Sequence, residues 1–498
     1  MKHRILAALL AVILFVSCIP AAFAAFYTPE QQLELLREVD QIIREEGLES
    51  SEEDAPLERA LKKQFRTLPD DDTLLKKLAD DDLLYEKLLS IMLSGYDSHT
   101  MYLPSGTYAA AFDPETNYVG VGVTIQAHKQ GALVADVNLK GPAFAAGIRM
   151  GDILTAADGQ SLAGMEVSAI SNLLRGEEGT SVAVEILREG ETLSFTLTRA
   201  ALTQMNYSGA PLNEDVFYMK WTRIQDDGSY WMFRLQLAQM VREGYECLIL
   251  DLRDNPGGSL DLAFNMATDL MEDAGSFFRV VGRDPLGRED LKTEYIIADG
   301  EGVDVPYIYV LVNENSASSS EIIAVSLRDK ENATLVGETT FGKGRAQQHY
   351  ILETDAGIVL TTMMLLPLEG EDYEGVGIAP TVAVENTLLK GDASPVPTTT
   401  ALSLWSCSDN GEALNRALFS LGLLEALPEK VYQVTEETLD TCDLLKAIYF
   451  GRGGSGTVDC DTLRLVNYLL DLQEAGLYEL DLQLLTAMNL AEQALKSE

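Results

Sequence analysis

The sequence predicts a multidomain α/β protein with a helical N-terminal region, a β-rich domain carrying a helix, an α/β core on a mostly parallel sheet, and a helical C-terminal extension. The chain has 498 residues, which is too many for one ordinary core and suggests about three domains. Its composition, 46% apolar and 23% charged, is typical of a globular protein. Between about 201 and 388, apolar strands alternate with helices, which favours a parallel sheet.

Changes in composition along the chain mark the boundaries of six segments. Short β runs separated by Gly begin near residue 113, and the Pro- and Thr-rich stretch Gly391–Thr400 is typical of a linker. The predicted segments are a signal peptide (1–24), the N-terminal helical region (25–112), the β-rich domain (113–200), the α/β core (201–390), the linker (391–410) and the C-terminal helical extension (411–498).

The chain is strongly acidic. Lys and Arg number 37 against 78 Asp and Glu, for a net charge of −41. Such a field repels phosphate backbones and gives no general attraction to anionic lipid headgroups. The charge therefore argues against nucleic acid as a partner and otherwise favours solubility.

The N-terminus predicts export. Basic residues 2–4 precede an apolar run, Ile5–Val16, that is too short to span a bilayer and ends in small residues. We expect a secretory signal cleaved after Ala24, and so an extracytoplasmic protein, secreted or in the cell envelope. Cys18 leaves lipidation open as an alternative, and an uncleaved signal that anchors the chain is another.

Four cysteines remain after that cleavage. Cys247 lies in an apolar run and is expected to be a packed core thiol, whereas Cys407, Cys442 and Cys460 cluster in the last hundred residues. Two of these three cysteines can form a disulfide in an oxidising compartment, but the sequence does not show which two. No spacing typical of zinc ligands occurs, so no metal site is predicted.

The segment from 26 to about 95 has apolar residues at helical spacing, as in "LELLREVDQIIREE" and "LLYEKLLSIML". The segment 113–200 has short alternating strands, a turn signature, "AGIRMGDIL", and then a helix and a hairpin. Taken in that order, these features resemble a PDZ domain. The resemblance implies that the loop in "YVGVGVTIQ" captures a chain terminus, with Val119, Gly120, Val121 and Gly122 as its binding residues. Arg149 is either a nearby positive contact or a solvated side chain.

Two predicted apolar strands of the core are followed by residues that are typical of active sites. "CLILDLRDNPGG" ends in a glycine turn, and "YIYVLVNEN" runs into the serine cluster of "VNENSASSSEI". In parallel sheets, sites lie beyond the carboxyl ends of strands. A serine near position 318 would lie at a helix N-terminus, where main-chain N–H groups favour negative charge. Serines at such positions ordinarily cap the helix, so a cap is the alternative to a nucleophile.

A lysine between two glycines supplies a base that the serines otherwise lack. Lys343 lies in "GETTFGKGRAQQ", just past a predicted strand. A lysine amine acts as a base only when it is neutral, and burial lowers the pKa of a lysine. Gln347 offers a neutral amide to hold the amine without stabilising its charged form. A solvated lysine in a glycine loop is the alternative.

The combined motifs resemble the C-terminal processing peptidases, also called tail-specific proteases, over residues 30 to about 388. They occur in that family's order: "YDSHTMYL", "YVGVGVTI", "AGIRMGDIL", "DLRDNPGG", "VNENSASSSEI", "GETTFGKGRAQQ" and "GVGIAP". The resemblance implies that Ser318 is the nucleophile, Lys343 the general base and Gln347 its support, with Glu321 as an anchor. The oxyanion hole would use the main-chain N–H groups of Ser319 and Gly257, with Gly258 as the alternative to Gly257.

The resemblance implies an exported serine endopeptidase that recognises protein C-termini and reacts through an acyl-enzyme, with no cofactor or metal. Its expected partners are proteins or peptides with exposed C-termini, and a homodimer is permitted. A catalytically silent PDZ scaffold of the cell envelope is the alternative. Two stretches depart from the family pattern: Thr381 follows the proline of "GVGIAP", where Asp is common, and "MMLLPLEGEDYEG" replaces another motif.

The C-terminal extension has two interpretations. "LNRALFSLGLLEAL" and "TEETLDTCDLLKA" faintly resemble a peptidoglycan-binding repeat, which implies contact with the cell wall. A plain helical tail is the alternative.

Overall fold

A computed structural model describes residues 27–497 except 49–54, 66, 82, 95, 105–116, 139–140, 150, 189, 204–205, 226, 284–290, 353–355, 371, 392, 452–455, 475 and 477. The predicted signal segment, with Cys18, lies outside the described residues.

The helices of the described residues are α1 Pro29–Glu46, α2 Pro56–Gln64, α3 Asp71–Asp80, α4 Leu84–Ser94, α5 Pro142–Ala146, α6 Val167–Leu174, α7 Asp227–Glu243, α8 Leu260–Thr268, α9 Ser319–Glu331, α10 Asp409–Ser420, α11 Glu436–Phe450, α12 Cys460–Glu474 and α13 Leu482–Leu495.

The strands are β1 Met101–Leu103, β2 Asn117–Gly120, β3 Val123–His128, β4 Gly131–Val137, β5 Ile153–Ala157, β6 Gln160–Ser161, β7 Ser181–Arg188, β8 Glu191–Thr198, β9 Ala200–Thr203, β10 Tyr207–Pro211, β11 Val216–Trp221, β12 Cys247–Asp251, β13 Gly275–Arg283, β14 Leu291–Ala298, β15 Tyr307–Val312, β16 Thr334–Gly337, β17 Arg345–Ile351, β18 Gly357–Pro367, β19 Val382–Ala383, β20 Thr387–Leu388, β21 Leu402–Ser403, β22 Thr457–Val458 and β23 Glu479–Leu480.

The chain divides into two compact units, and the first contains the N-terminal helices together with residues 278–296 and 344–374. Helix α1 starts at the Thr28 cap and buries Leu36, Val39 and Ile43 at helical spacing. Its sheet has the order β1-β18-β13-β14, and β17 also pairs with β18. The predicted helical N-terminal region is confirmed, but it is joined in one unit by strands that lie within the predicted α/β core.

The second unit contains a six-stranded sheet, the core sheet, with the order β10-β11-β12-β15-β16-β19. Within this sheet the neighbours pair in parallel along β11, β12, β15, β16 and β19, and only β10 is antiparallel to its neighbour β11. Every residue of β12 is buried, as expected for a strand covered on both faces. Helices α8 and α9 follow β12 and β15, so the predicted mostly parallel α/β core is confirmed.

The β-rich domain also lies in the second unit. Its sheet has the order β3-β4-β5-β7-β8, so β3 is an edge strand, and helix α6 packs against it. Strands β2 and β9 form a separate antiparallel pair. A cluster of buried apolar residues, among them Val134, Ile148, Ile170 and Ile186, fills the space between the sheet and its helices.

The C-terminal extension is built into the second unit. Leu484, Ala487 and Ala491 of α13 share a buried cluster with residues of the core sheet. In the predicted linker, Val396 is buried and exchanges two hydrogen bonds with the Asn467 side chain, so this segment is packed onto α12. The composition of a segment does not predict such packing, because the packing depends on residues that are distant in the sequence.

Across the described part of the chain, no helix combines the length and the apolar character that crossing a bilayer requires.

Candidate active site

Ser318 lies where the loop after β15 turns into α9. Its loop is tied to the end of β12: the Ser316 Oγ donates to Leu252 O at 2.8 Å, and Ala317 N donates to Asn255 O at 3.0 Å. Ser318 has φ 56° and ψ −118°, and it is only 8% exposed. A side-chain-bearing residue in such a conformation costs about 1–3 kcal/mol, and such strain clusters at functional sites. The surrounding loop therefore holds Ser318 in a backbone conformation that is unfavourable for a residue with a side chain.

Glu321, one turn into α9, is a fully buried carboxylate that joins two loops. Its Oε2 accepts hydrogen bonds from the main-chain N–H groups of Ser318, at 2.7 Å, and Lys343, at 2.8 Å. Its Oε1 accepts from Thr340 Oγ1 at 2.5 Å and from Gly342 N at 2.7 Å. Burial raises the pKa of the Glu321 carboxyl, and these hydrogen bonds act in the opposite direction.

Lys343 lies in the loop after β16, and it belongs to the second unit with Ser318. Phe341 N donates to Ser316 O at 3.0 Å, so the lysine loop and the serine loop are hydrogen-bonded directly as well as through Glu321. Gly342, with φ 87°, makes the turn that presents successive N–H groups to the carboxylate. The structure thus brings the main chains of the predicted nucleophile and the predicted base together.

The glycine turn after β12 lies against the start of α9. A Cβ on Gly257 would lie 2.7 Å from Ala317 O and 2.8 Å from Ser319 N, so only glycine fits there. The Gly257 N–H already donates to Asn255 Oδ1 at 2.9 Å. Within the described residues, no acceptor takes the N–H of Ser319 or of Gly258. Two donors at a helix start can stabilise an oxyanion, and the geometry favours Gly258 over Gly257 as the partner of Ser319.

The Ser319 side chain holds these two segments together. Its Oγ donates to Gly258 O at 3.0 Å and contacts Ser259 O at 3.2 Å, and Ser320 Oγ donates to Asn255 O at 3.0 Å. The side chains of the serines beside Ser318 therefore have structural hydrogen-bond partners.

Gln347 lies on β17, in the first unit. Its Nε2 donates to Arg345 O at 3.2 Å and to Thr361 Oγ1 at 3.3 Å. The Thr361 N–H in turn donates to Thr100 Oγ1 at 3.2 Å. The Gln347 amide is thus oriented by its own unit, and its proposed contact with the lysine amine stays a prediction.

Two residues that the sequence analysis did not single out hold the peptide group after Lys343. Glu374 Oε2 accepts from Gly344 N at 2.7 Å, and Glu374 Oε1 lies 2.9 Å from His99 Nε2. The amide nitrogen of Gly344 belongs to the peptide bond whose carbonyl is that of Lys343. His99 lies within "YDSHTMYL" and Glu374 at the end of "MMLLPLEGEDYEG", so both lie in quoted stretches whose partners the sequence could not show.

The predicted loop for a chain terminus connects β2 to the edge strand β3. Val119 and Gly120 pair with β9, while Val121 and Gly122 lie in the loop, with Val121 buried. The Arg149 guanidinium donates to Phe144 O and Ile148 O and stacks on the Phe144 ring, so these contacts hold it against α5 and the turn that follows. The exposed edge of β3 beside α6 is the geometry that strand addition by a peptide requires.

Comparison with known proteins gives two family matches. Residues 215–384 match the model of Peptidase family S41, and residues 119–198 match the model of the PDZ domain. The first range contains the serine loop, the lysine loop and the glycine turn, and the second contains β3 and α6.

Three similar proteins are named as proteases. The chain is 28% identical over 312 residues to the Probable CtpA-like serine protease of Staphylococcus haemolyticus, 32% over 255 residues to the Carboxyl-terminal-processing protease of Synechocystis, and 29% over 310 residues to the Carboxy-terminal processing protease CtpA of Bacillus subtilis. These alignments cover 62%, 50% and 61% of this chain and 61%, 58% and 65% of the relatives. The chain thus matches less than two thirds of each relative's length.

Proposed function

We propose that the chain is a serine endopeptidase of the C-terminal processing type, because residues 215–384 match the model of Peptidase family S41 and residues 119–198 match that of the PDZ domain. Two hydrogen bonds carry this proposal: the Glu321 Oε2 atom binds the main-chain N–H groups of both Ser318 and Lys343. A buried carboxylate that joins a strained serine to a lysine loop is an arrangement that a passive scaffold has no need to maintain.

In the proposed acylation step, the neutral amine of Lys343 takes the Ser318 hydroxyl proton while Oγ attacks the carbonyl carbon of the scissile peptide bond. The carbonyl oxygen becomes an oxyanion, which the N–H groups of Ser319 and Gly258 stabilise. Lys343 then donates the proton to the leaving amine, the C–N bond breaks, and the acyl group remains on Ser318.

In the proposed deacylation step, Lys343 takes a proton from water, and the hydroxide attacks the acyl carbon. The same two N–H groups stabilise the second oxyanion, and the ester bond to Ser318 breaks as Oγ regains a proton. Gln347, assigned by resemblance, supports the lysine amine in both steps without adding a negative charge that would keep it protonated.

The PDZ domain is proposed to select the substrate. The C-terminal residues of a protein add as a strand along β3, and the chain terminus reaches the loop of Val119, Gly120, Val121 and Gly122. An exposed sheet edge supports this proposal, because the unpaired main-chain groups of β3 bind any extended chain regardless of its side chains. Substrates are therefore proteins or peptides with accessible C-termini.

Export is proposed from the N-terminal sequence alone. The apolar run Ile5–Val16 and the small residues before Ala25 support an extracytoplasmic location in the cell envelope or outside the cell. A mature N-terminus at Ala25, found by N-terminal sequencing of the exported protein, would support cleavage. A lipid on Cys18 would replace this proposal with membrane anchoring.

The central experiment compares wild type, Ser318→Ala and Lys343→Ala on an unfolded protein with an apolar C-terminus. Ser326→Ala is the matched control, because Ser326 is a buried serine on the same helix whose hydroxyl has no partner among the described residues. We expect cleavage by wild type and Ser326→Ala only. Cleavage retained by either of the first two variants rejects the assignment, and an inactive wild type favours the silent scaffold. Amidating the substrate C-terminus tests the PDZ step separately, and we expect KM to rise.

A further inference from the structure

Helix α13 of the C-terminal extension lies on the core sheet. Its residues Leu484 and Ala487 are buried in the same cluster as Leu311 of β15 and Val336 of β16. This helix therefore forms one of the layers that cover the strands leading to the serine and lysine loops.

Asp481, the residue at the start of this helix, also binds Arg253, which lies just after β12. Asp481 caps α13 by accepting from Leu484 N at 3.0 Å. The two oxygens of its carboxylate also accept from Arg253 Nη1 at 2.6 Å and Nη2 at 2.9 Å. Paired hydrogen bonds between a guanidinium and a carboxylate fix direction as well as distance. Gln483 Oε1 lies 3.2 Å from Arg253 Nη1 and adds a neutral acceptor.

Arg253 is buried between two carboxylates. It is only 8% exposed, and it also donates to Asp251 Oδ1 through Nε at 2.9 Å and to Asp251 Oδ2 through Nη2 at 2.7 Å. Asp251 is fully buried at the end of β12 and accepts from Tyr218 Oη at 2.7 Å. One carboxylate is enough to balance the arginine charge, so the bonds from Asp481 serve to fix the position of the guanidinium.

The turn that follows Arg253 is the proposed oxyanion turn. Asp254 adopts φ 59°, and Asn255 accepts the Gly257 N–H on its side chain while its main-chain oxygen binds Ala317 N. This turn starts directly after Arg253, so the position of the Gly258 N–H depends on the position of Arg253. A small shift there moves the donor away from the oxyanion, and an oxyanion-hole donor contributes about 10²–10³ in kcat.

We propose that Asp481 is a positioning residue for the oxyanion turn, so that the C-terminal extension is required for catalysis and not only for stability. The inference rests on the proposed peptidase activity. Asp481 holds the Arg253 guanidinium from the side of the extension, Asp251 holds it from the side of the sheet, and together they set the start of the turn that carries Gly258.

The test uses Asp481→Asn in the full chain. Asparagine has the same shape and is an equally good helix cap, but it loses the charge and one of the two acceptors for Arg253. We expect kcat per active site, normalised by burst amplitude, to fall about tenfold or more, while KM stays within about twofold and Tm changes little. A role in stability alone would lower the number of active sites and leave kcat per site unchanged.

Asp461→Asn is the matched control, because Asp461 lies in the same extension and pairs with the more exposed Arg464 at 3.1 Å. We expect this variant to have the wild-type kcat per site. If Asp481→Asn does not fold, Asp481→Glu provides the measurement, because its longer side chain keeps the charge but displaces the carboxylate. A kcat per site within twofold of wild type, in whichever variant folds, overturns the inference. Absence of Ser318-dependent cleavage by wild type would instead reject the proposed function.

Discussion

Glu321 binds the main-chain N–H of Lys343 with Oε2, the same atom that binds the N–H of Ser318. The loops that follow the neighbouring strands β15 and β16 are therefore joined by one buried oxygen. Four donors converge on the two oxygens of this carboxylate, and the hydrogen bonds keep it buried. The relationship explains why a charged side chain is retained at a fully buried position of α9.

Replacing Glu321 by Gln should impair both stability and catalysis. Glutamine has a single oxygen, so at least one buried main-chain N–H loses its acceptor, at about 1–3 kcal/mol for each. We expect a lower free energy of unfolding by urea titration and a kcat reduced about tenfold or more. The control is Glu331→Gln on the same helix, where Oε1 has no partner in the described chain and burial raises the pKa of the carboxyl. A Glu321→Gln enzyme as active as the control would contradict the prediction.

A methyl group at Gly257 should abolish activity. Its Cβ would lie 2.7 Å from Ala317 O and 2.8 Å from Ser319 N, so the turn must move away from the start of α9. The matched control is Gly159→Ala, where φ is similar, at 78° against 93°, but nothing lies within 4 Å of the added carbon. We expect the control to lose only about 1–2 kcal/mol from the left-handed backbone. Peptide hydrolysis and thermal unfolding of both variants measure the difference, and equal activity in the two would refute the steric argument.

Glu374 should matter for kcat through the peptide group that follows Lys343. In Glu374→Ala the Gly344 N–H loses a charged acceptor, worth about 1.5–3 kcal/mol, and the Lys343 carbonyl is no longer held in one orientation. We expect kcat to fall about tenfold with KM little changed. Glu374→Gln keeps one oxygen for Gly344 and should restore most of the activity. Steady-state kinetics check both variants, and a Gln variant no better than Ala would count against an orienting role.

The Asp251 carboxylate predicts a loss of stability in acid. Burial alone would raise its pKa, but the charges of Arg253 and Lys220 and the hydrogen bonds outweigh burial and hold the pKa of Asp251 well below its usual range. Because the folded value lies below the unfolded value of about 3.9, this contribution is fully present above that pH and is lost as the pH falls. The difference in unfolding free energy between wild type and Asp251→Asn should therefore shrink from about pH 5 to about pH 3. A constant difference across urea titrations in this range would disprove the linkage.

The four described cysteines should react very unequally. All are free thiols, so the disulfide left open by the sequence is not formed in this structure. Burial raises the pKa of Cys247 and of Cys442 to about 12, whereas Cys407 is exposed. Since the thiolate is the reactive form, an alkylating reagent should label Cys407 first and the two buried thiols only after unfolding. Mass spectrometry of peptides from native and denatured protein checks this order, and early labelling of Cys442 would contradict it.

Much of the fold was accessible from local patterns. The apolar run of "CLILD" and its glycine turn, the run of "YIYVLV" and its serines, and the helical spacing in α1 are short-range signals of strand, turn and helix. Residues that follow parallel strands must meet at one edge of a sheet, so the sequence could also place the serine and lysine loops near each other. The strained φ of Ser318 was not predictable, because its cause is the packing of the loop against β12.

Which groups form hydrogen bonds and packing contacts with each other depended on tertiary structure. The family resemblance implied Gly257 as an oxyanion donor with Gly258 as the alternative, and in the fold the Gly257 N–H donates to Asn255 while that of Gly258 has no acceptor in the described chain. The composition of residues 391–410 predicted a linker, but the fold packs Val396 against α12. In both cases the outcome depends on which groups the fold brings within hydrogen-bonding distance of each other.

The order of strands and helices and the residue types at the reactive loops could thus be read from the sequence, because periodicity, turn residues and motif spacing are properties of neighbouring positions. Only the tertiary structure decided that Glu321 would join Ser318 to Lys343 and that Asp481 would reach Arg253 from the last helix. The physical reason is that a buried charge is stable only where donors from distant segments converge on it, and that convergence is a product of the register and packing of the whole unit.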